Sequence, residues 1–265
     1  MKIGFIGAGN MGSALISAAA KANKGDIFVF DKDAEKAAAV AASAGCKTAE
    51  LEYIAKECRF VILGVKPAII PAVMEDIADL IGCDTVIVSM AAGVKTERIG
   101  KIAKNHGKDT RVIRIMPNTP VIVGEGAILY CATEGVTESD ISAFKEIFEY
   151  AGSIFEIDEE KIDAGCAVSG CGPAFVYMFF EAITDEAVAC GLTKEEAYEY
   201  ACATLRGAAK TVVETKKHPK ELRDAVCSPA GSTIEGVHAL ERGDFYNTVR
   251  GAVRASFERT KELGK

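Results

Sequence analysis

The 265-residue chain has no tryptophan, only three histidines and only seven prolines. His106, His218 and His238 show no zinc-ligand spacing, and no C-x-x-C occurs, so no metal site is expected. No run of 18 consecutive apolar residues is present, so a membrane-spanning helix is not expected. Met1 leads straight into a strand-like apolar segment, without the basic leader and cleavage site of a secretory signal. An excess of positive charge is also missing. With 31 basic and 38 acidic side chains the net charge is −7, and no nucleic acid partner is expected.

What remains is the balance of an ordinary globular protein, 49% hydrophobic and 26% charged. At roughly 100–200 residues per domain, the length allows one large domain or two modest ones. The nine cysteines (46, 58, 83, 131, 166, 171, 190, 202 and 227) are odd in number and scattered, several of them inside apolar runs. In such places a thiol acts as a small hydrophobe. Reduced, structural cysteines in a cytoplasmic protein are the expectation.

Strand and helix patterns alternate through the first 160 residues. Lys2–Ile6, Asp26–Phe30, Phe60–Val65, Thr85–Val88, Arg111–Met116, Gly126–Tyr130 and Ser153–Ile157 read as strands. Helical patterns fall between them, for example Ala34–Ala44, predicting a mostly parallel sheet with helices on both faces. From about Lys161 helical periodicity takes over, in Pro173–Cys190, Lys194–Thr215, Pro219–Val226, Ser232–Arg242 and Phe245–Leu263. Thr193 with Glu196 fits a capping box. The acidic excess lies almost entirely in the first part, with 17 basic and 23 acidic residues against 14 and 15 in 161–265. The expected layout is an α/β domain over 1–160 and an all-α domain over 161–265.

Gly7-Ala8-Gly9-Asn10-Met11-Gly12 directly follows the first strand and opens a helix, which is the context a G-x-G-x-x-G dinucleotide loop needs. Gly7 serves the tight turn, Gly9 lets the backbone approach a pyrophosphate, and Gly12 lets helix and strand pack closely. Asp31, at the end of the second strand, is placed to hold adenosine ribose hydroxyls. It repels the 2′-phosphate of NADP and so favours NADH, whereas Lys32 can pair with that phosphate. Both cofactors are expected to be accepted. Val65-Lys66-Pro67 and Ala91-Ala92 leave other strands at the carboxyl edge of the sheet, where open α/β folds bind ligands. Lys66 can reach a ribose or phosphate, or point to solvent. Asn118 can orient the carboxamide end of the cofactor or the substrate, or form a structural turn.

In the second part, Val168-Ser169-Gly170-Cys171-Gly172-Pro173-Ala174 leads into a long apolar helix. Further on, Ser228-Pro229-Ala230-Gly231-Ser232-Thr233 places hydroxyls around the first amides of another helix, an arrangement suited to a carboxylate. With the amino-terminal Gly-Phe-Ile-Gly-Ala-Gly-Asn-Met-Gly and Asn118-Thr119-Pro120, these motifs resemble those of the pyrroline-5-carboxylate reductase family along essentially the whole chain.

The resemblance implies a Rossmann-type domain followed by a helical substrate-binding and dimerisation domain. The implied reaction is NAD(P)H-dependent reduction of 1-pyrroline-5-carboxylate to L-proline. Thr233 would hydrogen-bond the imine nitrogen, while Ser228 and the backbone of Gly231, Ser232 and Thr233 hold the substrate carboxylate. A homodimer is implied, with five dimers forming a decamer in many members. Two positions depart from the family pattern: Ala225 replaces a polar residue, and Ala230 replaces a glycine, which is tolerable if its φ is negative. A 3-hydroxyacid dehydrogenase has the same two-part layout, but no lysine lies between Lys161 and Lys194 to serve its chemistry. A reductase of another small cyclic imine and a non-catalytic nucleotide sensor are the remaining alternatives, and a deazaflavin-dependent reductase would share only the amino-terminal fold.

Overall fold

Four-residue apolar runs with no polar alternation form strands buried on both faces, as parallel sheets require. β1 (Ile3–Ile6), β4 (Phe60–Leu63) and β5 (Val86–Ser89) are each buried throughout. The computed structural model, which describes residues 1–22 and 26–263, places them at the centre of an eight-stranded sheet. The other strands are β2 (Ile27–Phe30), β3 (Lys47–Thr48), β6 (Arg111–Met116), β7 (Gly126–Ala132) and β8 (Gly152–Glu156). The order is β3-β2-β1-β4-β5-β6-β7-β8, parallel throughout except between β6 and β7. This is the predicted fold class, a doubly wound sheet whose order reverses between β1 and β4.

Alternate side chains feed two separate cores. Phe5, Phe60, Ile62 and Val88 join Leu15 and Ile16 of α1 (Asn10–Ala22) on one face. Ile6, Val61, Leu63 and Ile87 join Ile70 and Met74 of α4 (Ile70–Ile77) and Ile99 of α5 (Thr96–Asn105) on the other. Helices α2 (Ala34–Ala44), α3 (Leu51–Glu57), α6 (Glu138–Ile147) and α7 (Ile162–Ser169) complete this part. Asp33 caps α2 by accepting from the Lys36 N–H, and Gly45 ends it in the left-handed conformation.

Two buried charge clusters pin the edges of this layer. Asp140, 2% exposed, closes a capping box with Thr137 and pairs with Arg59 and Arg111. Burial opposes ionisation there, but the Thr137 hydrogen bonds and the two guanidinium groups hold the carboxyl below its usual range. Arg114 of β6, also 2% exposed, donates to Glu159 at 3.2 Å and to Asp163 at 3.4 Å. Glu159 in turn accepts from the Thr96 N–H and hydroxyl, both at 2.8 Å, so the start of α7 is tied to the start of α5.

His106, at the carboxyl end of α5, lies 2.7 Å from Glu75 and 2.9 Å from Asp79 of the segment carrying α4. Hydrogen bonds first to Glu75 and then to Asp79 raise its pKa above the ordinary 6.5. A raised folded-state pKa gives stability that is complete below the unfolded value and is lost as pH rises through the folded one. The melting temperature of His106→Ala should therefore fall furthest below wild type beneath pH 6.5, with the gap closing at alkaline pH. A gap independent of pH would assign the loss to packing. Because both carboxylates are largely exposed, salt should narrow the gap as well.

All nine cysteines are free. Burial pushes the Cys58 thiol up to about 12 and the Cys131 thiol up to about 11, as expected of structural residues.

The chain divides into two compact units. One comprises Met1–Cys171 and the segment from Ser256, the other Gly172–Ala255. The second unit is entirely helical, with α8 (Gly172–Ala189), α9 (Lys194–Thr215), α10 (Pro219–Ala225), α11 (Ser232–Arg242) and most of α12 (Phe245–Leu263). The Thr193–Glu196 capping box opens α9 as predicted. Phe180 meets Tyr198 edge-on and Phe179 meets Phe245. Little else is inside: Thr184 is the buried residue of α8, and Ala197 and Ala201 are those of α9. Tyr177 (60% exposed), Met178 (69%) and Val213 (73%) lie open. The stretch Glu159–Ala189 is, by length and composition alone, long and apolar enough to cross a membrane. Isolated polar residues interrupt this run without lowering its average, so it meets a composition criterion although it holds no 18 consecutive apolar residues.

Candidate active site

At the reversal point of the sheet the chain leaves β1 and β4 side by side, and two glycines let them do so. The Gly7 N–H donates to the Phe30 carbonyl at 2.7 Å, and the Gly64 N–H to the Ile6 carbonyl at 2.8 Å. Gly7 has φ +106°, and a Cβ there would lie 2.6 Å from the Gly64 carbonyl oxygen. A Cβ on Gly12 would lie 2.4 Å from the Gly7 carbonyl oxygen, so helix α1 can start against the loop only with glycine. Gly9 is different. Nothing lies within 4 Å of a Cβ built there, so its lack of a side chain keeps space open above the loop. That is the space a pyrophosphate needs against the start of α1.

A cleft of about 290 Å³ opens at this point, lined by Gly9, Asn10, Met11, Gly12, Val65 and Lys66 of the predicted cofactor residues. Gly64, Met90, Met116 and Pro117 also line it. These four stand at strand ends on the same carboxyl edge, which is the signal that marks them. Gly7, Ala8 and Ala91 are buried beneath the surface, and Ala92 is half-buried beside Ala91. Lys32 and Pro67 are exposed.

Asp31 reaches back to the glycine loop. Its carboxylate accepts from the Ala8 N–H at 2.7 Å and from the Asp33 N–H at 3.0 Å. Each oxygen so engaged keeps a lone pair for a ribose hydroxyl, and the negative charge opposes a 2′-phosphate. Asn118 is 8% exposed and both ends of its carboxamide are engaged. Its Nδ2 donates to the Ser169 carbonyl at 2.9 Å, and its Oδ1 accepts from the Ala127 N–H at 2.8 Å. The side chain thus holds the end of α7 and the start of β7 beside Met116 and Pro117.

The residues predicted to bind substrate lie in the helical unit. Ser228 is exposed, and its carbonyl accepts from the Gly231 N–H at 3.1 Å, closing a tight turn. Gly231 caps α11 in extended conformation with no side-chain hydrogen bond, leaving the first N–H groups of the helix for a ligand. A Cβ on Gly231 would lie 2.4 Å from the Ser228 hydroxyl, so the close approach of that hydroxyl demands glycine. Ser232 and Thr233 are exposed on the first turn. The turn therefore collects two N–H donors and three hydroxyls in six residues.

Ala230 has φ +57°, so the condition under which alanine fits is not met. A side chain in the left-handed region costs roughly 1–2 kcal/mol. Ala230→Gly should therefore raise stability by about 1 kcal/mol, after the entropy of the freer unfolded glycine is deducted. Urea denaturation midpoints check this. No gain would mean that the turn relaxes around the alanine at no cost. Ala225, the last residue of α10, is exposed and contributes no polar group. Among the described residues no cluster of three His, Cys, Asp or Glu side chains is placed to hold a metal ion.

Residues 2–93 match the family described as NADP oxidoreductase, coenzyme F420-dependent, and residues 159–263 match pyrroline-5-carboxylate reductase dimerisation. The pyrroline-5-carboxylate reductase of Escherichia coli K12 is 37% identical, with 100% of this chain and 98% of that protein covered. The Coxiella burnetii pyrroline-5-carboxylate reductase structure superposes with a TM-score of 0.89 at 32% identity, covering 100% and 98% of the two chains. The Plasmodium falciparum pyrroline carboxylate reductase, solved with NADP bound, gives 0.87 at 32% identity over the same shares. With a glycine loop at one end and an open-capped Ser–Pro–Ala–Gly–Ser–Thr turn at the other, the chain belongs to the pyrroline-5-carboxylate reductase family.

Proposed function

We propose that the protein reduces the C=N bond of 1-pyrroline-5-carboxylate to give L-proline, the last step of proline biosynthesis. The observation that carries this reading is the turn at Ser228–Thr233, whose helix-start amides are left open by Gly231. When bound, NAD(P)H supplies the hydride. The amides of Ser232 and Thr233 and the Ser228 hydroxyl hold the substrate carboxylate without a guanidinium group, while the predicted Gly231 amide is already taken by the Ser228 carbonyl and serves the turn instead. The Thr233 hydroxyl orients the ring nitrogen and, being neutral, does not repel its protonated form. That cation is already electrophilic, so neither a nucleophile nor a metal is needed and positioning accounts for most of the rate.

Residues 1–160 serve as the cofactor domain. Gly7–Gly12 hold the pyrophosphate, Asp31 and Lys32 face the adenosine ribose, and Val65-Lys66-Pro67 with Ala91-Ala92 line the path to the nicotinamide. Asn118 supports that end through Ser169. Asp31 makes NADH the better substrate, with NADPH accepted. Residues 161–265 bind substrate and pair with a second copy. The open apolar faces of α8 and α9 are too extensive for a helical unit alone in water, which supports a homodimer, and five dimers could form a decamer. The cytoplasm is the proposed compartment, without a membrane or nucleic acid partner.

Cofactor oxidation followed with pyrroline-5-carboxylate, beside 3-hydroxyisobutyrate and a six-membered cyclic imine, tests the reading. Turnover of the five-membered imine with a higher kcat/KM than either alternative is expected, and a higher kcat/KM for NADH than for NADPH. Faster oxidation of the hydroxyacid by NAD would overturn it. Light scattering fixes the oligomer, and a stable monomer at micromolar concentration would remove the dimer.

A further inference from the structure

The end of α7 carries two thiols that the proposed reaction does not use. In a regular α-helix, positions five apart are rotated by roughly 140°, on different faces. Here the turn is widened. The Cys166 carbonyl accepts both from the Gly170 N–H at 2.8 Å and from the Cys171 N–H at 3.0 Å, the second being an i→i+5 bond. That widening brings Cys171 back over Cys166. Gly170 lies between them with no side chain, and a Cβ there would meet the Cys166 sulfur at 3.0 Å. Both thiols are free and half-buried.

The pair is also connected to the cofactor cleft. Ser169, inside the turn, gives its carbonyl to Asn118, and Asn118 follows Met116 and Pro117 of the cleft lining. A change in the Cys166–Cys171 turn therefore reaches the cleft through one side-chain amide.

We propose that Cys166 and Cys171 form a thiol-oxidation site, which a low-molecular-weight disulfide converts into an intramolecular disulfide that reversibly lowers reductase activity. The effect on activity rests on the function proposed above, whereas the bond itself does not. In the first step the Cys171 thiolate attacks one sulfur of the small disulfide RSSR. Its S–S bond breaks, RS⁻ leaves, and a mixed disulfide forms on Cys171. The Cys166 thiolate then attacks the Cys171 sulfur, the mixed disulfide breaks, and a second RS⁻ leaves. The two thiol protons end on the two RS⁻ groups. Two electrons pass from the cysteine pair to RSSR, giving one protein disulfide and two RSH.

The roles follow from the surroundings. Burial, and then the neighbouring Cys171 thiol, push the Cys166 thiol above its ordinary range. Cys166 thus attacks slowly as a free thiol and acts as the resolving partner, where the mixed disulfide holds its target at contact distance.

The test uses the full-length Cys190→Ser protein in its native assembly, treated with oxidised glutathione and then blocked with N-ethylmaleimide. Trypsin releases Ile162–Lys194, which then contains Cys166 and Cys171 as its only cysteines. The expected peptide is unlabelled and two hydrogens lighter, and dithiothreitol before blocking restores two labels. Reductase activity should fall in parallel by roughly ten-fold, the scale of a small displacement beside a reacting centre, and recover with dithiothreitol. Cys171→Ser should keep its activity under the same treatment. Two labels or a persistent glutathione adduct would overturn the site, and full activity with the disulfide formed would overturn its effect. Absence of any reductase activity before oxidation would instead count against the proposed function, leaving the peptide mass to decide the disulfide.

Discussion

Gly9→Ala should lose about 100-fold in NAD(P)H affinity while melting at the wild-type temperature. A methyl group at Gly9 meets no protein atom within 4 Å, so the folded chain has nothing to rearrange. The same methyl group would occupy the space where a dinucleotide backbone must approach the loop. Losing that approach removes hydrogen bonds to charged oxygens, worth roughly 1.5–3 kcal/mol each, which sets the size of the effect. Gly12→Ala is the contrasting case. Its Cβ would lie 2.4 Å from the Gly7 carbonyl oxygen, so loop and helix must part before any cofactor arrives. It should lose both cofactor affinity and roughly 1–3 kcal/mol of stability, the usual cost of overpacking. Fluorescence titration with NADH, set beside thermal melting, separates the two variants. Unchanged NADH affinity in Gly9→Ala would mean that the cofactor lies elsewhere.

Thr233→Ala should lower kcat/KM for pyrroline-5-carboxylate by about 100-fold, the scale on which misplacing a reacting centre costs rate. Thr233 is exposed on the first turn of α11, so its hydroxyl supports no packing and its removal should leave the melting temperature unchanged. The dinucleotide loop lies far away in sequence, and NADH affinity should also be unchanged. Thr233→Ser keeps the oxygen and should retain most of the rate. The ratio of the serine to the alanine variant is the decisive number, because a role in shape alone would leave serine as poor as alanine. Equal rates in all three proteins would remove Thr233 from the mechanism.

The central strands were readable because β1, β4 and the Val86–Val88 part of β5 are uninterrupted apolar runs, a pattern imposed by burial on both faces. The glycine loop was readable for a related reason, since each glycine meets a separate steric demand and the spacing follows from them. Other elements left no such mark. β3 is two exposed residues, Lys47 and Thr48, paired at the sheet edge, and two exposed polar residues carry no periodicity. α5, by contrast, does carry a helical stripe, with Thr96, Ile99 and Ala103 inward and lysines and arginine outward, but its low apolar content makes that stripe narrow.

The same limit applies at the site. In the sequence Asn118 can meet the cofactor or the substrate or form a local turn, whereas its partners are backbone atoms of Ser169 and Ala127, which no local pattern connects to it. The sign of φ at Ala230 depends on the whole turn and not on the residue itself. Cys166 and Cys171 sit in small-residue surroundings that read as packing. Only the widened turn brings their thiols together.

Helix α12 runs out of the helical unit and supplies the first unit's last segment, from Ser256, where Thr260 is buried. The first unit is therefore discontinuous in the gene. A recombinant fragment ending at Cys171 would lack a piece of its own unit, and exchanging helical parts between relatives requires two junctions, one near Gly172 and one near Ser256. Crossover libraries that respect both positions should preserve the dinucleotide module intact, whereas single-crossover chimeras would inherit a tail evolved against a different partner surface.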